Sequence, residues 1–273
     1  MAGFLGFGNY DKPGKGVGKD EPQKHAFFYF FELYFRKFWK IIEANLLFFV
    51  FCLPFLVLSF LLLIGFGKNP GASYLAFLPL IGIAVVVPGF TFLMRNFVRE
   101  ESVFLWSDFI DTIRKNWKQA LAVGVVDYVA YFVLSVAIRF YSQQVKTNSL
   151  SMIPLILCLM VAMLLIFMQY YLFPMLITFT LTTRQLFKNA LLFSVAGLLR
   201  NLFLTILIGL LALANYIVWP LLFLIPFLGL GTVGFLILFT VWPKIENLMI
   251  PKPEEGEQEQ DDDESIFEDK GRQ

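Results

Sequence analysis

The sequence predicts an all-α, polytopic membrane protein of six transmembrane helices, paired as three hairpins with interfacial amphipathic helices. Three observations predict it. First, 58% of the 273 residues are hydrophobic, 16% are charged and the mean hydropathy is +0.70. A soluble domain has roughly a quarter of its residues charged, because its surface must be wetted. Second, the apolar residues fall into runs of about 20, the length that crosses roughly 30 Å of hydrocarbon at 1.5 Å per residue. Third, Lys and Arg are segregated along the chain, 19 in alternate connections and termini against only Lys68, Arg139 and Lys146 in the others.

Three parts follow from this composition. Residues 1–23 form a charged, Gly-rich cytoplasmic segment, residues 24–250 the membrane domain and residues 251–273 an acidic tail. Ten of the 21 acidic residues lie between Glu254 and Asp269. A stretch so poor in large apolar side chains cannot offset its ordering entropy and is expected to be disordered. The first 43 residues lack the short apolar core of a cleavable signal peptide.

Ala44–Ile64 and Tyr74–Met94 are the first two spans, joined by the turn-like Gly65–Gly71. Leu121–Ile138 is the third and Ile153–Leu181 the fourth. Asn201–Pro243 would reach about 65 Å as one helix, which equals two crossings. Trp219-Pro220 is the natural fold point, since proline lacks a backbone donor. The positive-inside bias then places both termini in the cytoplasm. Trp39, Trp117, Trp219 and Trp242 fall at predicted span ends, where an interfacial aromatic belt is expected. The connections on the other side are short, so a partner meets the protein from the cytoplasm or within the bilayer.

Weak internal repetition accompanies these spans. Pro88 and Pro174 are 86 residues apart, as are Arg114 and Arg200, and basic clusters precede three of the spans. The pattern suggests three parallel units about an axis along the membrane normal, each an interfacial helix followed by a hairpin. In the second unit Val103, Trp106, Ile110, Ile113 and Trp117 step by three or four and form one apolar face, predicting a separate helix in the headgroup plane. Arg184–Leu199 is a weaker third example. Such helices either anchor the hairpins or offer a cytoplasmic docking face, with Arg36, Lys40, Trp106 and Arg114 as its candidate residues.

Asp127 lies ten residues beyond Trp117, about 15 Å along the helix and near the midplane. A carboxylate there costs roughly 2.5–3.5 kcal/mol on insertion scales, so it must be protonated, paired or wetted. Tyr131 follows one turn later, and Gln169 and Asn215 reach a similar depth on other spans. The four would form either a proton- or solute-handling cluster or interhelical hydrogen bonds that fix packing. No cofactor, metal site or enzymatic centre is expected. Gly229–Gly234 matches a dinucleotide-binding string but lies in an apolar span, where small residues serve close helix approach. His25 is the sole histidine, and Cys52 and Cys158 sit inside apolar runs. A net charge of +1 argues against nucleic acid as a partner.

Near the N-terminus Asn9, Tyr10, Asp11, Lys12, Pro13 and Gly14, then Gly16-Val17, Lys19–Pro22, Phe35–Lys40, Asn45–Leu47 and Leu53-Pro54, resemble the YesL-like family of bacterial integral membrane proteins (domain of unknown function 624). The resemblance implies a small polytopic protein of the bacterial cell membrane, encoded beside carbohydrate uptake transporters and glycan-degrading enzymes. It implies no catalytic residues. On that basis the expected role is accessory or regulatory in carbohydrate uptake through the cytoplasmic face, with an uptake permease as possible partner beside the lipid bilayer. The alternative is a small-solute transporter built on the Asp127 cluster. Mitochondrial carriers, which share three parallel repeats, are excluded because neither Pro88 nor Pro174 is followed by their acidic and basic signature residues.

Overall fold

The computed structural model describes residues 25–67, 72–217 and 228–250. The motif Asn9–Gly14, the acidic tail and the Trp219-Pro220 fold point lie outside them. Among the described residues every regular element is helical. The first, α1 (Ala26–Arg36), falls in a unit of its own and is strongly amphipathic, with a run of Phe and Tyr rings stacked along it. The remaining elements are α2 (Phe38–Phe66), a 3₁₀ helix (Ala72–Leu80) continuing into α3 (Ile81–Val98), α4 (Leu105–Gln144), a short 3₁₀ turn (Ser149–Ser151), α5 (Met152–Thr178), α6 (Thr183–Ala196), α7 (Leu198–Ile217) and α8 (Leu230–Met249).

Among the described residues four helices are long and apolar enough to cross a membrane: Phe38–Phe66, Ala72–Val98, Leu105–Gln144 and Ser149–Thr178. The pair α6 and α7, bent by 89°, makes a fifth if taken as one broken span. Pro54, Pro88 and Pro174 lie inside α2, α3 and α5 without ending them. Apolar helices tolerate proline when neighbouring groups or water re-satisfy the freed carbonyls.

The 3₁₀ helix and α3 pair antiparallel with α2 on one side and with α4 on the other, and both registers can be read from side-chain contacts. Phe48 stacks on Phe90 with centroids 4.5 Å apart, while Ser59 donates to the Ala76 carbonyl at 2.7 Å. Between α3 and α4, a Cβ on Gly89 would come within 2.7 Å of the Phe109 carbonyl, and one on Gly124 within 2.6 Å of Ala84 Cβ. Tyr128 donates to the Tyr74 carbonyl at 2.8 Å and closes the far end of the pair. Glycine at both positions is what allows the two backbones to approach.

These registers divide the helices into two zones. At one end α2, α3, α4, α5 and α8 share a dry core of Ile41, Phe90, Phe97, Phe109, Leu172 and Phe235. Toward the other end the helices expose Leu61, Val133, Leu157 and Met160. Burying a large apolar side chain is worth roughly 1.5–3 kcal/mol, so a continuous belt of such groups belongs against lipid rather than water.

Several expectations are corrected. The second interfacial helix does not exist as a separate element. Residues 105–144 form one helix, about 60 Å long at 1.5 Å per residue. The first glycine in it is Gly124, it contains no proline, and a cluster of Arg, Lys, Asn and Trp does not break a helix. The charged first half of α4 therefore runs beside residues 84–97 of α3, whose apolar side chains are covered by protein. Trp242 is no interfacial anchor either, being only 2% exposed in the dry core. The third unit does show a corner, at Gly197, so the second and third units differ where the repeat required them to match. Gly231 and Gly234 do serve close approach, the first against Ile41 and Asn45 and the second against Phe90 and Met94.

Candidate functional site

On α4 the residues Gly124, Asp127, Tyr131 and Ser135 recur at intervals of three and four, one stripe of a helix. That stripe lines a half-open cavity of about 570 Å³ bordered by the 3₁₀ helix, α3 and α5. The 3₁₀ helix and α3 supply Tyr74, Phe77, Ile81 and Ala84, and α5 supplies Gln169 and Phe173. Gly124 sets the floor, because its missing side chain draws α3 and α4 together beneath the polar groups.

Most polar atoms of the wall are already engaged. Tyr128 is tied to the Tyr74 carbonyl, and Ser135 donates to the Phe132 carbonyl at 2.8 Å. The acid and the amide face each other: Gln169 lies within hydrogen-bonding reach of both Asp127 and Tyr131, although its buried Nε2 does not attain full hydrogen-bond geometry with either. A buried amide hydrogen so loosely held marks a place where a better-placed acceptor would be gained. Asp127 has no basic residue in the cavity wall among the described residues.

The structure thus brings Asp127, Tyr131 and Gln169 to one cavity. Asn215 lies in α7, and its side chain is outside the described residues. Of the candidate docking residues, Lys40 is exposed at the start of α2, while Trp106 is 64% exposed with its ring 6.0 Å from that of Phe51. Arg114 is exposed on α4 and pairs with Asp111 at 3.8 Å, a contact open to solvent screening. Arg36 ends α1, in the separate unit.

A second polar arrangement was hidden in the sequence, where Arg95 counts merely as one of a basic cluster. Its guanidinium is buried and donates through Nε and Nη2 to Asn96 Oδ1, at 3.1 and 3.0 Å, and through Nη1 to Thr178 Oγ1 at 3.0 Å. The indole of Trp242 lies 5.3 Å from it and 5.4 Å from Arg99. Arg95 stands in the last turn of α3, and Thr178 is the last residue of α5. Two helix C-termini, each worth about half a negative charge, thereby compensate one cation. This arrangement joins α3, α5 and α8.

A third set shapes the corner between α6 and α7. Asn201 is fully buried, accepts from the Tyr171 hydroxyl at 2.8 Å and donates to the Ser194 carbonyl at 3.1 Å. It satisfies a carbonyl that the break at Gly197 leaves free.

The family model described as "Protein of unknown function, DUF624" matches residues 41–138. No curated protein and no solved structure showed significant similarity to the chain. The matched segment runs from α2 to the second half of α4 and carries Asp127 and Tyr131, whereas Gln169 comes from beyond it. Its start also lies after the Asn9–Gly14 motif.

Proposed function

We propose that the protein is a six-span protein of the bacterial cell membrane, with both termini in the cytosol, that binds and moves a small solute through the cavity at Asp127. The observation that carries this reading is the cavity itself. A cluster that only fixed helix packing would leave no open space beside the acid and the amide. Here an acid, a phenol and an amide border about 570 Å³ of open volume, within the range of small-molecule sites. The positive-inside bias of the sequence supports the orientation, and the fifth and sixth crossings would be made by α7 and α8.

The test is solvent and solute access. In a chain lacking Cys52 and Cys158, Ser135→Cys should react with a membrane-impermeant thiol reagent in reconstituted vesicles. Asp127→Asn should abolish solute flux while leaving expression and gel-filtration behaviour unchanged. A thiol that stays unreactive from both sides would mean that the cluster only packs helices.

A second reading is favoured by a different surface. Phe104 and Trp106 are 79% and 64% exposed at the head of α4, above Asp108, Asp111, Arg114, Lys115 and Lys118. This combination of exposed aromatics and charge suits an accessory protein docked on a carbohydrate uptake permease. A photo-crosslinking side chain at Trp106 should then trap such a permease in native membranes; recovery of the chain alone, under conditions that preserve permease complexes, counts against it.

A further inference from the structure

The cavity wall says more about its occupant than its volume does. Tyr74, Phe77, Tyr128, Tyr131, Phe132 and Phe173 give it six aromatic rings, and Asp127 is its one acidic group. Among the described residues no Lys, Arg or His lines it, so nothing in the wall balances a carboxylate. A carboxylate set among ring faces and aliphatic side chains is the chemistry that recognises a lipophilic organic cation, through ion pairing on one side and cation–π attraction on the others. An anionic solute would meet uncompensated repulsion, and a sugar would find few polar groups, because Tyr128 and Ser135 are already committed to backbone carbonyls. The Nε2 hydrogens of Gln169 add a donor beside the acid, for a hydrogen-bond acceptor carried by the same molecule.

We propose that the Asp127 cavity is a site for a lipophilic organic onium cation, held by the Asp127 carboxylate within an aromatic wall. This rests on the reading of the cavity as a solute site and assigns its ligand class.

The experiment uses the full chain in lipid nanodiscs and three probes of similar bulk: tetraphenylphosphonium, the anion tetraphenylborate and the neutral triphenylmethanol. Empty nanodiscs correct for partitioning into lipid. Tetraphenylphosphonium should bind saturably at one site per chain, and tetraphenylborate should show partitioning alone. Asp127→Asn should weaken the cation at least tenfold, about 1.4 kcal/mol, with unchanged gel-filtration and circular-dichroism profiles. Ala84→Phe, which fills the cavity and keeps the acid, should weaken it as well. Saturable binding of the neutral or anionic probe without the cation would overturn the cationic assignment while leaving a solute site in place. Absence of saturable binding by all three would overturn both. Cation binding that survives Asp127→Asn unchanged would overturn the role given to the carboxylate.

Discussion

Replacing Asn201 isolates what holds the α6–α7 corner. Its side chain makes two buried bonds, to the Tyr171 hydroxyl at 2.8 Å and to the Ser194 carbonyl at 3.1 Å. Asn201→Ala strands both partners away from water, and an unsatisfied buried group costs about 1–3 kcal/mol, so the variant should lose about 2–4 kcal/mol. Tyr171→Phe strands only the Asn201 oxygen and should lose about 1–2 kcal/mol. In the double variant neither side of the Tyr171–Asn201 bond is left unpaired. Its loss should fall short of the sum of the singles by about 1–2 kcal/mol. Gly197→Ala extends the cycle, since its new Cβ would sit 2.8 Å from Tyr171 Oη. That substitution should be better tolerated beside Phe at position 171. Unfolding midpoints in a mild detergent, followed by intrinsic fluorescence and referenced to a denaturant series, give the four corners of the cycle. Strict additivity of Asn201→Ala and Tyr171→Phe would refute the idea that this one bond fixes the corner.

Other substitutions probe other parts of the structure. Arg95→Lys keeps the charge between the two helix ends but loses the forked pair of bonds to Asn96, and should cost about 1.5–3 kcal/mol in the same unfolding assay. Thr182 and Gln185 form a capping box at the start of α6, so Thr182→Ala should lower stability by about 1 kcal/mol. Glu100 closes α3 in the left-handed region, φ 60°, with the Glu101 amide reaching back to the Asn96 carbonyl at 2.9 Å; Glu100→Gly should relieve about 1 kcal/mol of backbone strain and raise the midpoint. Gly124→Leu should separate α3 from α4, destabilise the chain by about 1–3 kcal/mol and abolish Ser135→Cys labelling by filling the cavity floor.

Long apolar runs were legible because length and hydropathy report directly on whether a helix can sit in lipid. Thus α2, α3, α4 and α5 all carry the spans expected of them. The Asp127–Tyr131–Gln169 grouping was legible as well, since an acid at midplane depth draws attention to polar groups at equal depth. Gly124 and Ser135 were readable on the same stripe, at three residues before Asp127 and four after Tyr131. What escaped was whatever depends on neighbours distant in sequence. Trp242 looks like a belt residue until Arg95 and Arg99 are found beside it. Asn201 looks like part of a basic cluster until Tyr171, thirty residues earlier, is seen donating to it. The fused α4 is not legible because amphipathic periodicity ends where the apolar stretch begins, although no helix breaker lies between them.

The length of α4 bears on where water ends. A hydrocarbon layer of about 30 Å covers only half of a 60 Å rod, and Asp108, Asp111, Arg114, Lys115 and Lys118 decide which half stands clear. The greasy second half of α3, clasped alongside it, has protein for a coat instead of acyl chains. A hydropathy profile scores those α3 residues as membrane all the same. Reagents confined to water should therefore modify α4 as far down as Lys118, one full helical stretch deeper than such a profile would draw the shoreline.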